Sequence, residues 1–239
     1  MNIEGRTVLV TGASRGLGRT LSLAFAEAGA RQVFAGVRKE SDLARLAADR
    51  ITPVKLDVTK NDDVNATKQL GAIDILVNNA GVAGYGNPVS MNFDDARGEM
   101  EVNYFGALRM TRALAPQMVE RGDGMIVNIA TAFAKTNLPL VGTYCASKAA
   151  LLSLGQALRA YLKDKGVHVM TVMPTTIDTD MAKGADVPKM TTEFVASEIL
   201  RHIRDESIDP PIGEEAERVL DQLRSDPLAL EKMLSGIRA

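Results

Sequence analysis

The chain has 239 residues, of which 46% are apolar and 24% charged, and its net charge is −2. That length fits one large domain or two small ones with a sizeable core, and the near-neutral balance leaves no basic field for nucleic acid. A single cysteine, Cys145, excludes an internal disulfide and accords with a reducing compartment.

The run "RTVLVTG" at 6–12 is β-branched and ends in glycine, as a strand does. In the helix expected over 19–29, Leu21, Ala24, Phe25 and Ala28 recur at helical spacing before Gly29. Further strands are expected at 32–37, 52–58, 73–81, 125–131 and 167–174. Helices are expected at 40–50, near 60–70, over 94–121 and 142–164, and near 191–204. Charged helices follow over 214–236, broken at Asp226-Pro227. The strands are nearly continuous apolar runs, as in a parallel sheet covered on both faces. No linker or repeat divides the chain. The fold class is therefore α/β, a single Rossmann-like doubly wound parallel sheet over 1–239. No glycine-rich, strand-like ending is visible after the sixth strand.

Acidic Glu4 is followed at once by a strand-like run, so no leader peptide is expected. The uncharged stretch from Ile75 to Phe93 is broken by asparagines, glycines and Pro88, so it is not a membrane span. No membrane partner is expected, and the expected location is cytoplasmic.

The first strand passes into the first helix through "TGASRGLG", 11–18. Gly12, Gly16 and Gly18 permit a tight turn and close backbone approach, and the helix N-terminus offers free N–H groups to a pyrophosphate. Ser14, Arg15 and Leu17 belong to the same loop. The second strand ends in "FAGVRK", without the acid that would take a ribose 2′-hydroxyl. Arg38 and Arg15 instead flank the place of a 2′-phosphate, whose geometry suits a guanidinium fork. NADP(H) is thus expected in preference to NAD(H).

"GTYCASKAA", 142–150, sets Tyr144 four residues before Lys148, on one helix face. With "TGASRGLG" it forms part of an ordered set that also contains "LDVT" (56–59), "NNAG" (78–81), "EVNYFGA" (101–107) and "PTTIDT" (174–179). Over about residues 6–181 the chain resembles a short-chain dehydrogenase/reductase of the small, single-domain type.

The resemblance implies an oxidoreductase that moves hydride between NADPH and a carbonyl or secondary alcohol. Tyr144 is the implied proton donor. Its phenol is expected to be acidified by the Lys148 ammonium, with Asn103 supporting a water beside that lysine. The family's serine, thirteen residues before the tyrosine, is Thr131 here. It keeps the hydroxyl and adds a methyl.

For the cofactor, the resemblance adds Asp57, Val58, Asn79, Ala80, Gly81, Pro174, Ile177 and Thr179. Asp57 also reads as a strand-end cap, and Asn78 as a tie between strands. Thr175 stands where the family usually has glycine. The loop and helix at about 178–204 would cover the substrate. Met181, Met190, Phe133, Leu138, Val141 and Tyr85 offer it an apolar lining, unless they are simply packed in the core.

Cys145 faces away from Tyr144, and His168 and His202 have no evident ligand partners, so no metal is expected. The implied partners are a small carbonyl or alcohol substrate and a second copy of the chain, a dimer being better founded than a tetramer. A cofactor-binding sensor that has lost turnover is the alternative, and Thr131 is the feature that favours it.

Overall fold

The apolar run Thr7–Val10 is buried at every residue and forms β1 at the centre of the sheet. The computed structural model describes residues 1–236, so the last three residues of the expected 1–239 domain lie outside the described residues. The helix α1 (Gly16–Glu27) follows, then β2 (Gln32–Val37), β3 (Ile51–Lys55), α2 (Asn61–Ala66) and β4 (Ile75–Asn78). Next come α3 (Phe93–Met100), α4 (Ala107–Arg121), β5 (Gly124–Ile129), α5 (Gly142–Leu162) and β6 (Val167–Pro174). The chain ends in α6 (Thr192–Arg204), β7 (Pro211–Ile212), α7 (Glu214–Ser225) and α8 (Pro227–Ser235).

All seven strands are parallel, in the order β3-β2-β1-β4-β5-β6-β7. Successive side chains of a strand point to opposite faces, and here both faces are dry. Val8 and Val10 pack with Leu17, Leu21 and Phe25 of α1 and with Ile199 and Ile203 of α6. Leu9, between them, packs on the other face with Met110, Leu114 and Met118 of α4 and Leu162 of α5. This explains runs without polar alternation. Phe25 is fully buried, and its truncation to alanine would cost about 3–5 kcal/mol.

Three expected elements differ. The helix at 40–50 is a 3₁₀ helix over Glu40–Arg45. β3 must pair with β2 at Val33 and Ile51, and the chain already turns at the Ala48–Ile51 bridge with Arg50 at φ 61°. That leaves no length for a full α-helix. The 94–121 helix is interrupted by a π-helical stretch, Glu101–Gly106. The sheet is also closed by a strand the sequence hides: β7 has only two residues, one of them proline, and pairs with Met173 and Pro174 of β6. The break at Asp226-Pro227 occurs as expected, with the Asp226 side chain accepting from the Ala229 N–H.

Candidate active site

The glycine loop leaves β1 at the carboxyl end of the sheet. Gly12 and Gly16 have φ of 66° and 53°, a left-handed region that favours glycine. At Gly18 the constraint is space: a Cβ there would lie 2.3 Å from the Gly12 carbonyl oxygen. Thr11 and Asn79 brace the loop from behind. The Thr11 hydroxyl accepts from the N–H groups of Asn79 and Ala80, and the Asn79 amide donates to the Thr11 carbonyl at 2.8 Å.

In front of this loop lies a cleft of about 680 Å³ lined by Ser14, Arg15, Gly16, Arg19, Arg38, Lys39, Asp42, Leu46 and Asp180. The structure therefore brings Arg15 and Arg38 together, as expected, and adds Arg19 and Lys39. Arg19 follows Arg15 by one helical turn, a signal that was available. Across the cleft mouth Arg15 meets Asp180 at 2.8 Å.

The second cluster is built on α5. Its buried stripe runs Cys145, Lys148, Leu151, Leu152 and Gly155, so Lys148 stands where helical spacing would place a core residue. Its Nζ donates to the Ile129 carbonyl at 2.7 Å and lies 5.8 Å from the centre of the Tyr144 ring. Asn103, in the π-helical stretch, is buried and exchanges two 2.9 Å hydrogen bonds with the backbone of Val82. It also donates to the Ser147 hydroxyl at 2.8 Å, which in turn donates to the Tyr144 carbonyl at 2.7 Å. A Cβ on Gly81 would stand 3.3 Å from Asn103 Oδ1 and 3.4 Å from Lys148 Nζ. Gly81, Asn103, Ser147 and Lys148 thus form one packed knot beside Tyr144. Ser147 lies inside "YCASK" and was not singled out in sequence, because a serine in a helix is usually unremarkable.

The expected acidification of Tyr144 is not what the protein's own groups produce. Burial pushes the phenol pKa up, and Cys145, Tyr85 and Glu99 add to that. Burial also pulls Lys148 down to about 8. Lys148 is buried and Tyr144 partly buried, and desolvation disfavours each charged form. Any lowering of the Tyr144 pKa has to come from a bound positive charge.

Thr131 is buried and donates to the Pro174 carbonyl at 2.9 Å while accepting from the Phe133 N–H at 3.4 Å. Thr179 reaches the glycine loop, where a Cβ on Gly16 would meet its Cγ2 at 3.2 Å. Ile177 bridges to Met190, and both pack against the main core. Met190 is partly buried and also lies against Gly213. Phe133, Leu138, Val141 and Tyr144 do cluster, but against Val219 and Leu223 of α7 and Leu230 and Leu234 of α8. Tyr85 donates to the Met181 carbonyl at 2.8 Å.

Asp57 is engaged in capping: its carboxylate accepts from the Thr59 N–H and hydroxyl at 3.0 and 2.8 Å. Val58 is buried beneath Gly106. Asn78 donates to Asn128 across β4 and β5 at 2.9 Å and so ties strands together. Glu99, missed in sequence, is buried and accepts from the Gly84 N–H at 2.6 Å, with Oε2 unpartnered. Cys145 is buried, and burial raises its thiol pKa. His168 pairs with Glu206 at 3.6 Å and His202 meets Ser207 at 2.8 Å. Among the described residues no three His, Cys, Asp or Glu side chains gather as a metal site, and no helix is long and apolar enough to cross a membrane.

A family model of short chain dehydrogenases matches residues 6–188. The chain belongs to the short-chain dehydrogenase family. It is an oxidoreductase of a family that works with a nicotinamide cofactor, built on a Rossmann-like sheet.

Among curated relatives, the short-chain dehydrogenase PC-15 of Penicillium crustosum is 42% identical over 188 residues, covering 74% of this chain and 68% of that protein. A dehydrogenase/reductase SDR family member 7B of Danio rerio is 34% identical over 201 residues, covering 77% of this chain and 65% of that protein. The chain thus spans just under two thirds of the zebrafish protein's length. Among solved structures, a short chain dehydrogenase of Burkholderia cenocepacia in complex with NADP superposes with a TM-score of 0.93 at 36% identity. That likeness covers 98% of this chain and 99% of the other.

Proposed function

We propose that this short-chain dehydrogenase reduces a carbonyl compound, mainly apolar, with NADPH, and that Tyr144, Lys148, Asn103 and Thr131 form its active site. The observation that carries this reading is the buried Lys148 ammonium held beside Tyr144 by the Ile129 carbonyl. A folded protein does not bury a lysine without cause.

The residues present fit a dinucleotide. Gly18 lets the start of α1 close against the Gly12 carbonyl, where any Cβ would collide, and the cleft before the loop gathers Arg15, Arg19, Arg38 and Lys39. Arg15 and Arg38 would take a 2′-phosphate, a match supported by the NADP in the Burkholderia relative. Gly12, Gly16 and Gly18 would meet the pyrophosphate. Pro174, Ile177 and Thr179 would lie along the nicotinamide half, with Asn79, Ala80 and Gly81 opposite. Asp57 and Val58 would contribute backbone at the adenine end. When bound, the cofactor supplies the hydride.

Tyr144 holds the proton that a carbonyl oxygen requires, and burial keeps that proton in place at neutral pH. The Lys148 ammonium stands beside the phenol, held there by the Ile129 carbonyl. Asn103 and Ser147 fix the helix carrying both groups. Thr131 would need to turn its hydroxyl from Pro174 to reach a substrate oxygen. That bond is the one observation favouring a sensor without turnover.

The segment 178–204 would cover the substrate, with Tyr85 spanning to Met181 and the helical extension at 213–236 forming the apolar wall. Exposed Phe105, in the π-helical stretch before α4, supports a dimer through the helical regions 94–121 and 142–164; sedimentation equilibrium would test it, and a monomer at micromolar concentration would refute it. The function itself is tested by loss of reduced-nicotinamide absorbance over a panel of ketones and aldehydes. Turnover with NADPH is expected. Tight NADPH binding with no turnover on any carbonyl would favour the sensor.

A further inference from the structure

Thr175 replaces the glycine usual in this family, and its side chain is not idle. It is buried, and its hydroxyl donates to Glu215 Oε2 at 3.0 Å. Glu215 belongs to the first turn of α7, forty residues later in sequence. The sheet arranges the meeting. Pro174 pairs with Ile212 in the β6–β7 ladder, and Gly213, at φ 85°, turns the chain into α7. The two segments that leave paired strands therefore run side by side, Thr175 on one and Glu215 on the other. The helix N-terminus favours an acid at that place.

The residue before Thr175 is held as well, since the Pro174 carbonyl accepts the Thr131 hydroxyl at 2.9 Å. The segment is thus tied to the turn after β5 on one side and to the C-terminal extension on the other. From there the chain runs to Thr179, which touches the glycine loop at Gly16. The turn 174–179 accordingly spans from the candidate catalytic hydroxyls to the candidate pyrophosphate site.

We infer that Glu215 is a positioning residue for the cofactor's nicotinamide half, acting through Thr175 on the 174–177 turn. This rests on the NADPH reading above. The C-terminal extension is then part of the cofactor site, and Thr175 has exchanged glycine's freedom for a fixed hydrogen bond.

The test is equilibrium binding to the full chain of two ligands, NADPH and adenosine 2′,5′-bisphosphate, the second lacking the nicotinamide half. Thr175→Val and Glu215→Leu should each weaken NADPH binding about tenfold, the loss of one hydrogen bond to a charged group. Their affinity for the adenosine bisphosphate should match wild type, which also shows that they fold. Glu215→Gln keeps an acceptor and should restore NADPH binding. The double variant should be no worse than either single.

Unchanged NADPH affinity in Glu215→Leu, equal losses for both ligands, or additive losses in the double variant would overturn the inference. A wild-type protein that binds NADH but not NADPH would sink the 2′-phosphate reading alone; the same comparison then runs with NADH and AMP. Binding of neither dinucleotide sinks both.

Discussion

The Lys148 ammonium lies 5.8 Å from the centre of the Tyr144 ring, in a setting where burial weakens the charged form of both residues. Lys148 is buried and Tyr144 partly so, and the charged form of each would be better solvated in water. This is strain stored at a candidate catalytic centre, and it has consequences for stability as well as for chemistry.

Lys148 falls from an ordinary value of 10.5 to about 8, a difference of about 3 kcal/mol. Below pH 8 the lysine is charged in both states and its burial exacts that full penalty. Between about 8 and 10.5 the unfolded chain binds a proton that the folded chain lacks, so stability rises with pH in that window. Tyr144, raised above 10, acts in the opposite direction and takes stability away as pH climbs beyond that value. Lys148→Met should therefore be more stable than wild type at pH 7 by up to about 3 kcal/mol. The gap should close by pH 10. Denaturant titrations at the two pH values check this; equal stabilities at pH 7 would refute it.

Arg15 and Arg38 should set cofactor preference. Replacing either with alanine is expected to raise the KM for NADPH about tenfold or more, the scale of a lost charge-assisted hydrogen bond, and to leave the KM for NADH nearly unchanged. Arg15 is also paired with Asp180. That ion pair is exposed and contributes little to stability, so Arg15→Ala should not lower the melting temperature appreciably. Steady-state kinetics with both cofactors measure the effect. Parallel losses for NADPH and NADH would contradict it.

Ser147 connects Asn103 to the Tyr144 backbone. Ser147→Ala should leave NADPH affinity intact and lower kcat about tenfold, because a small displacement of the proton donor is costly. Ser147→Thr should recover part of the rate. A fall in cofactor affinity without a change in kcat would assign Ser147 elsewhere.

Gly155 lets α5 lie close on β6. A Cβ there would stand 2.3 Å from the Thr171 hydroxyl oxygen. Gly155→Ala should destabilise the fold by about 1–3 kcal/mol through overpacking, although alanine is the better helix former. Thermal unfolding decides the sign. A gain in stability would mean that the helix is free to shift.

β2 and β6 fall on their expected residues, 32–37 and 167–174, because short, mostly apolar, valine-rich runs set between turn residues favour strands. The Tyr144 and Lys148 pair was legible because helix spacing dictates which residues share a face. β7 was not, since two residues carry no periodicity. The roles of Glu99, Ser147 and Glu215 were hidden because each depends on a contact distant in sequence. The upward push on the Tyr144 phenol was hidden because its neighbouring charge is visible in sequence and its burial is not.

Tyr144 is the proposed proton donor on which carbonyl reduction depends. Tyr144→Phe should bind NADPH like wild type and lose carbonyl reduction by about 10²- to 10⁴-fold, the usual contribution of a positioned proton donor. Reduction at the wild-type rate in that variant, measured under saturating NADPH with the same carbonyl, would contradict the account at its centre.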